Sequence, residues 1–202
     1  MPLDPSRAPA VPVPSGVTAV VVLFDYRGPE RELVLGLKHT RGVTAVPDLA
    51  DRLAAAIRAE AWPAPAVVTW VPTTAARRSE RGYDQSLLLA KAVARRLRLP
   101  CRRLLRRTGR AQEGLDAAAR RAGPQLSARA VPAGGVLLID DVVTTGATLA
   151  AAAAALRSGG ASDVYAATLA FAAGSSGRPS SRCDAGHAQH PHRPPAGLQA
   201  PR

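Results

Sequence analysis

Lysine is almost missing from this chain: Lys38 and Lys91 are its only two among 27 basic residues in 202. Aromatic residues make up 3% and cysteines number two, Cys101 and Cys183, set far apart in unlike surroundings. A disulfide framework and a zinc site built on paired C-x-x-C are therefore excluded. No stretch approaches the roughly 18 to 20 uninterrupted apolar residues of a membrane span, so no membrane partner is expected. The start, MPLDPSRAPAVPVPSG, lacks a basic segment followed by an apolar one, which makes the cytoplasm the expected compartment. Two phosphate-binding motifs are also missing. There is no G-x-x-x-x-G-K-[ST] loop and no G-x-G-x-x-G turn after a strand, which removes the P-loop and the dinucleotide fold.

Hydrophobic residues make up 47% of the chain, enough for one domain with a sizeable core of Ala, Val and Leu. Residues 1–16 carry five prolines and are expected to form a disordered arm. Residues 17–173 hold the aliphatic pattern of a folded domain. From 174 to 202 Gly, Ser, Pro, Arg and His replace that pattern, as in a disordered tail; His187, His190 and His192 belong to it. The net charge of +12 is concentrated between residues 77 and 129, where fifteen Lys or Arg face four Asp or Glu. Such a block suits a polyanion, either a pyrophosphate group or nucleic acid, although solvated helix faces look the same. Coding bias toward Arg accounts for part of it.

Hydrophobic periodicity orders the domain. Thr18–Phe24 is a β-branched run, Glu32–Lys38 leads toward a helix over Pro47–Glu60, and Ala66–Val71 is a buried strand stopped by Pro72. Thr73–Asp84 has no apolar period and reads as a loop; Gln85–Leu97 reads as a helix. Arg102–Leu126 is Arg-rich and aperiodic, an excursion with a short helix over Leu115–Arg121. Val136–Ile139, Thr148–Ser158 and Asp163–Phe171 then read as strand, helix and strand. That is a βαβ unit, which places its two strands parallel and predicts an α/β architecture.

The segment Val136–Thr148, VLLIDDVVTTGAT, carries the chemistry. Its strand ends in two carboxylates, Asp140 and Asp141, and a loop of small residues runs straight into a helix. Thr144, Thr145, Gly146, Ala147 and Thr148 offer successive backbone N–H groups at a helix N-terminus, where partial positive charge favours a phosphate. Gly146 permits close approach and the threonine hydroxyls add donors. The two acids, at the carboxyl end of a strand, can accept hydrogen bonds from ribose hydroxyls. The competing reading is a pair of acids that only caps a turn.

This arrangement resembles the phosphoribosyl pyrophosphate signature of type I phosphoribosyltransferases. Val71-Pro72 followed by Arg77, Arg78, Arg81, Gly82, Tyr83, Asp84 and Gln85 resembles an element of the ComF family, the competence-associated branch of that fold. Leu37-Lys38, Arg107, Gln112 with Gly114-Leu115, and Arg120 agree, so the resemblance runs from about Val20 to Phe171. Two features depart from it: the family's cysteine-rich zinc-binding start is missing, and Gly123 stands where Asn is common.

The resemblance implies a mainly parallel sheet flanked by helices, with phosphoribosyl pyrophosphate (PRPP) as ligand and Mg2+ accompanying it rather than held by protein side chains alone. It gives Asp140 and Asp141 the catalytic role of holding the ribose, Thr144–Thr148 the 5-phosphate, and Arg77, Arg81 and Gly82 the pyrophosphate side. Lys38 also becomes a candidate for a phosphate contact. The implied reaction moves the phosphoribosyl group to a nitrogen acceptor, a nucleobase or relative, and releases pyrophosphate. The other outcome is a non-catalytic PRPP- or DNA-binding regulator tied to competence and DNA uptake, with single-stranded DNA as partner. A homodimer is common in the fold.

Overall fold

The computed structural model describes residues 9, 11–37, 40–108 and 124–173. Four strands form one parallel sheet: β1 (Ala19–Asp25), β2 (Val67–Trp70), β5 (Gly135–Val143) and β6 (Asp163–Phe171), in the spatial order β1-β6-β5-β2. Helices α1 (Gly28–Gly36), α2 (Val46–Ala59), α3 (Ala75–Arg81), α4 (Gln85–Leu97) and α5 (Ala147–Ser158) connect them, with a short 3-10 turn over Thr40–Ala45. Strands β3 (Leu105–Arg107) and β4 (Leu126–Ala128) make a separate antiparallel pair.

Strand alternation assigns the core to two layers. Leu137 and Ile139 of β5 and Leu169 of β6 pack with Leu49 and Leu53 of α2 and Leu89 and Val93 of α4. Val136, Leu138, Val164 and Ala166 face the other way, against Leu149, Ala152, Ala153 and Leu156 of α5. A parallel sheet covered on both faces needs apolar side chains at successive positions, which is why VLLI in β5 is fully buried. Each such Leu or Ile contributes roughly 1.5–3 kcal/mol by leaving water. The α/β architecture and the parallel βαβ unit expected from the sequence are both present.

Element ends differ by a residue or so from the sequence reading, and α1 lies where Glu32–Lys38 reads only as leading toward a later helix; three further differences bear on the site. Strand β5 runs on past Ile139 through both acids, because Asp140 and Val142 keep pairing with Thr168 and Ala170 of β6. Thr73–Asp84, expected to be a loop, contains α3. Thr74 caps it by accepting a hydrogen bond from the Arg77 amide, and Gly82, at φ 77°, ends it in the left-handed conformation. All of its described side chains are exposed, so no apolar period marks it. The Arg-rich excursion opens and closes with β3 and β4, while its expected helix over Leu115–Arg121 lies outside the described residues.

Within the proline-rich arm, Val11 is partly buried against the α5 layer, and Pro14 lies over Gly146, where a Cβ on the glycine would meet it at 2.9 Å. Arg157 of α5 holds this segment through the Gly16 carbonyl at 2.7 Å and the Thr18 hydroxyl at 3.0 Å. On the opposite layer, Arg96 of α4 forks onto Asp51 of α2 at 2.5 and 2.9 Å, fixing the two helices side by side. Among the described residues no helix is long and apolar enough to cross a membrane.

Candidate functional site

The site forms where β2 and β5 end at the same edge of the sheet. Their pairing carries Trp70 beside Ile139; β2 ends there and Val71–Asp84 leaves the sheet, while β5 continues beside it through Val143 before Thr144–Thr148 turns into α5. Strand carboxyl ends are where open α/β sheets take ligands.

Asp140 is buried, 8% exposed, and Asp141 half-buried. One oxygen of Asp140, Oδ1, accepts hydrogen bonds from the Asp141 amide at 2.9 Å and the Ser86 hydroxyl at 3.2 Å. Burial raises its pKa well above the usual carboxylate value and the adjacent Asp141 charge raises it further, opposed by those two donors. Asp140 therefore holds a proton to higher pH than a surface aspartate. Asp141 Oδ1 accepts the Val142 amide at 2.8 Å.

Beyond the acids, Thr144 and Thr145 are exposed and Gly146 is buried in the left-handed conformation, φ 78°, as the N-cap of α5. The Thr145 hydroxyl accepts the Ala147 amide at 3.3 Å, while no N-cap side chain closes the helix. Successive amides at this turn give an anion a place to bind, favoured by the helix dipole. Ala147 and Thr148 begin α5 and are half-buried.

The facing segment is organised by Asp84. Its carboxylate accepts the Thr73 amide at 3.2 Å and the Leu87 amide at 3.3 Å, tying the start of this segment to the N-terminus of α4. Tyr83 and Gln85, on either side of Asp84, both donate to the Leu37 carbonyl, at 2.8 and 2.9 Å. Arg107 of β3 donates to the Pro72 carbonyl at 2.7 Å. Burial lowers the pKa of its guanidinium and Arg77 lowers it further, whereas Asp140 and Asp84 act in the opposite sense. Arg107 thus lies within electrostatic reach of Asp140, Asp84 and Arg77 together, and as an arginine it stays charged.

Of the residues expected at the site, Asp140, Asp141 and Thr144–Thr148 form one continuous segment, and Arg77, exposed on α3, lies within Coulombic range of Arg107. Arg81 is the last residue of α3, and Gly82 is its left-handed cap. Lys38, His39, Gln112, Gly114, Leu115, Arg120 and Gly123 lie outside the described residues. A small recess, with about 10 Å³ open to a water-sized molecule, adjoins Asp141, lined by Leu37, Val43, Val46, Tyr83 and Leu169 among others. Ser86 and the tethering role of Asp84 were not read from the sequence. The signal for Ser86 was there: it occupies the first position of the buried stripe Ser86, Leu89, Ala90, Val93 on α4, where a hydroxyl has no packing purpose.

An acidic pair, a strand-to-helix turn with a left-handed glycine and an arginine-bearing segment lie together at the carboxyl end of the parallel sheet of an α/β protein. Residues 83–190, more than half of the chain, match the phosphoribosyl transferase domain family, and the chain belongs to that family. Solved structures similar to it include the glutamine PRPP amidotransferase from B. subtilis complexed with ADP and GMP, at 25% identity and TM-score 0.47 over 67% of this chain and 30% of that one. The chain therefore spans under a third of that enzyme's length. Orotate phosphoribosyltransferase from Aeropyrum pernix is 25% identical, with TM-score 0.38 over 68% and 63% of the two chains. Adenine phosphoribosyltransferase from Leishmania tarentolae is 16% identical, with TM-score 0.44 over 75% and 91%. No curated protein sequence matches.

Proposed function

We propose that this chain binds PRPP and transfers its phosphoribosyl group to a nitrogen acceptor, a nucleobase or related compound, with release of pyrophosphate. The observation that carries the reading is the continuity of Asp140-Asp141 with the Gly146 turn at the mouth of α5. In this reading the turn Thr144–Thr148 takes the 5-phosphate through backbone amides, and the two acids accept hydrogen bonds from the ribose hydroxyls. Arg77, Arg81, Gly82 and Arg107 face the pyrophosphate, whose oxygens match guanidinium forks.

Displacement at ribose C1 passes through an oxocarbenium-like state as pyrophosphate leaves. The protein's contribution is to position the ribose and stabilise the departing charge, with no nucleophile of its own. Mg2+ is a hard ion that takes phosphate and carboxylate oxygens and would neutralise pyrophosphate charge. Among the described residues no group of three or more His, Cys, Asp and Glu gathers, so the acid pair fits such an ion only as a partner to the ligand's own phosphates.

Pyrophosphate release from PRPP across a panel of nucleobases and small amines tests the transfer. Release with at least one acceptor is expected, abolished in Asp140→Asn/Asp141→Asn. Binding of PRPP without release by any acceptor supports instead a regulator in the ComF manner. The exposed Arg102, Arg103 and Arg106 beside the β3–β4 pair favour a nucleic-acid partner in that case. Single-stranded DNA retention that falls with salt, and is lost when those three arginines become Ala, is its test.

A further inference from the structure

Thr168 stands in the middle of β6 with its side chain fully buried. Its hydroxyl oxygen is the one buried side-chain polar atom among the described residues that makes no hydrogen bond. An unpaired buried hydroxyl destabilises a fold, and valine would fill nearly the same volume without that penalty. Its strand neighbours Ala166, Ala167, Leu169 and Ala170 are all buried and apolar, so packing supplies no reason for a hydroxyl here. An orphaned buried group of this kind points to a role outside packing.

The sheet register supplies the partner. Thr168 is paired with Asp140 across β5 and β6. Side chains at paired positions of neighbouring strands leave the same face roughly 5 Å apart. The Asp141 amide and the Ser86 hydroxyl both fall on Oδ1 of Asp140, and the Asp141 side chain, itself a carboxyl, is its further hydrogen-bond partner; a neutral hydroxyl from β6 would add a donor that the acid pair does not supply. A charged carboxyl at such depth needs hydrogen bonds on its remaining lone pairs.

We propose that Thr168 is a positioning residue for Asp140, its hydroxyl turning about χ1 to donate to the carboxylate that faces the ligand. Asp140 is then held from two sides, by Ser86 from the start of α4 and by Thr168 from β6. Neither hydroxyl touches the ribose; together they fix the direction in which the carboxylate accepts its hydrogen bonds. The inference rests on the reading of Asp140 as a ribose-binding acid, but its contact with Thr168 can be measured without any ligand.

The experiment combines calorimetric titration of PRPP with ¹³C NMR of carboxyl-labelled aspartate, the Asp140 resonance being assigned with Asp140→Asn. Thr168→Val is expected to bind PRPP about tenfold more weakly, the effect of one hydrogen bond to a charged group. It should also shift the Asp140 resonance and melt no lower than the parent. Thr168→Ser, which keeps the hydroxyl, should restore both affinity and resonance. An unmoved Asp140 resonance in Thr168→Val, unchanged PRPP affinity in that variant, or a serine variant as defective as the valine one overturns the proposal. A parent that fails to bind PRPP while its Asp140 resonance still responds to Thr168→Val contradicts the ligand reading and leaves the contact standing.

Discussion

Two neighbouring parallel strands, β2 and β5, each end in a segment that turns into a helix, and the two turns are built differently. After β5 the chain places acids first, then hydroxyls and a glycine, and α5 begins at a left-handed Gly146 with no N-cap side chain. After β2 hydroxyls come first and arginines follow, and the Thr74 side chain occupies the Arg77 amide of a seven-residue helix. In both turns a threonine hydroxyl takes one leading amide, that of Ala147 by Thr145 and that of Arg77 by Thr74; they differ in that acids precede the first turn and Gly146 opens its helix, whereas arginines follow the second. On the proposed function, the difference would let one end of the sheet receive two phosphate-bearing ends of one ligand. In the proposed reading the amide turn takes the 5-phosphate that stays on the ribose, and the arginine side takes the pyrophosphate that departs.

The largest effect should come from removing the acids between the two turns. Asp140→Asn/Asp141→Asn is expected to weaken PRPP binding at least 100-fold, a loss of about 2.7 kcal/mol, measured by calorimetry. Stability should respond in the opposite sense. Burial raises the native pKa of Asp140, so the native state binds more protons than the unfolded chain between the unfolded carboxylate value and the raised native one. Its contribution to stability is fully present below the unfolded value and is lost as pH rises through that window. Asp140→Asn should therefore raise the melting temperature at neutral pH and flatten the decline with pH. Equal melting curves for parent and variant from acid to neutral pH would contradict the burial argument.

Gly146→Ala attacks the amide turn directly. It forces a side chain into φ 78° and against Pro14, where a Cβ would sit 2.9 Å from the proline ring. A loss of about 1–2 kcal/mol in stability is expected from the backbone strain, together with roughly tenfold weaker binding of ribose 5-phosphate, the ligand half assigned to this turn. Arg107→Ala should spare ribose 5-phosphate and weaken pyrophosphate by about tenfold, with a shallower salt dependence. Equal losses for both half-ligands would dissolve the contrast between the turns. Thr74→Ala should have the smallest effect on ligand, costing about 1 kcal/mol of stability through the lost cap and leaving affinity within twofold. Denaturant unfolding and calorimetry on the same samples check both.

Much of this arrangement was legible in the sequence. Residues with a strong period and clear ends, Gln85–Leu97 and Asp163–Phe171, are placed where the structure has them, and VLLIDDVVTTGAT names the segment that the proposed site is built on. The end of β5 was not legible, because whether Asp140 and Val142 stay in the ladder depends on β6 lying alongside. Helix α3 was hidden for the opposite reason: nothing in its described side chains is buried, and its stability comes from a cap and a glycine rather than from a stripe. Ser86 and Thr168 were each visible as a hydroxyl in an apolar element, but only the register and the fold of α4 over the sheet edge direct both toward Asp140. The arginines show the same limit. Their number could be counted, while the approach of Arg107 to Pro72, Asp140 and Arg77 required the β3 strand to be in place.

The most direct test of the two-ended site is calorimetry of PRPP, ribose 5-phosphate and pyrophosphate, each with Mg2+, on the parent and on Asp140→Asn/Asp141→Asn. PRPP should bind the parent more tightly than either half, and the double variant should lose PRPP and ribose 5-phosphate while keeping most of its affinity for pyrophosphate. Undiminished PRPP binding by the double variant would contradict the account.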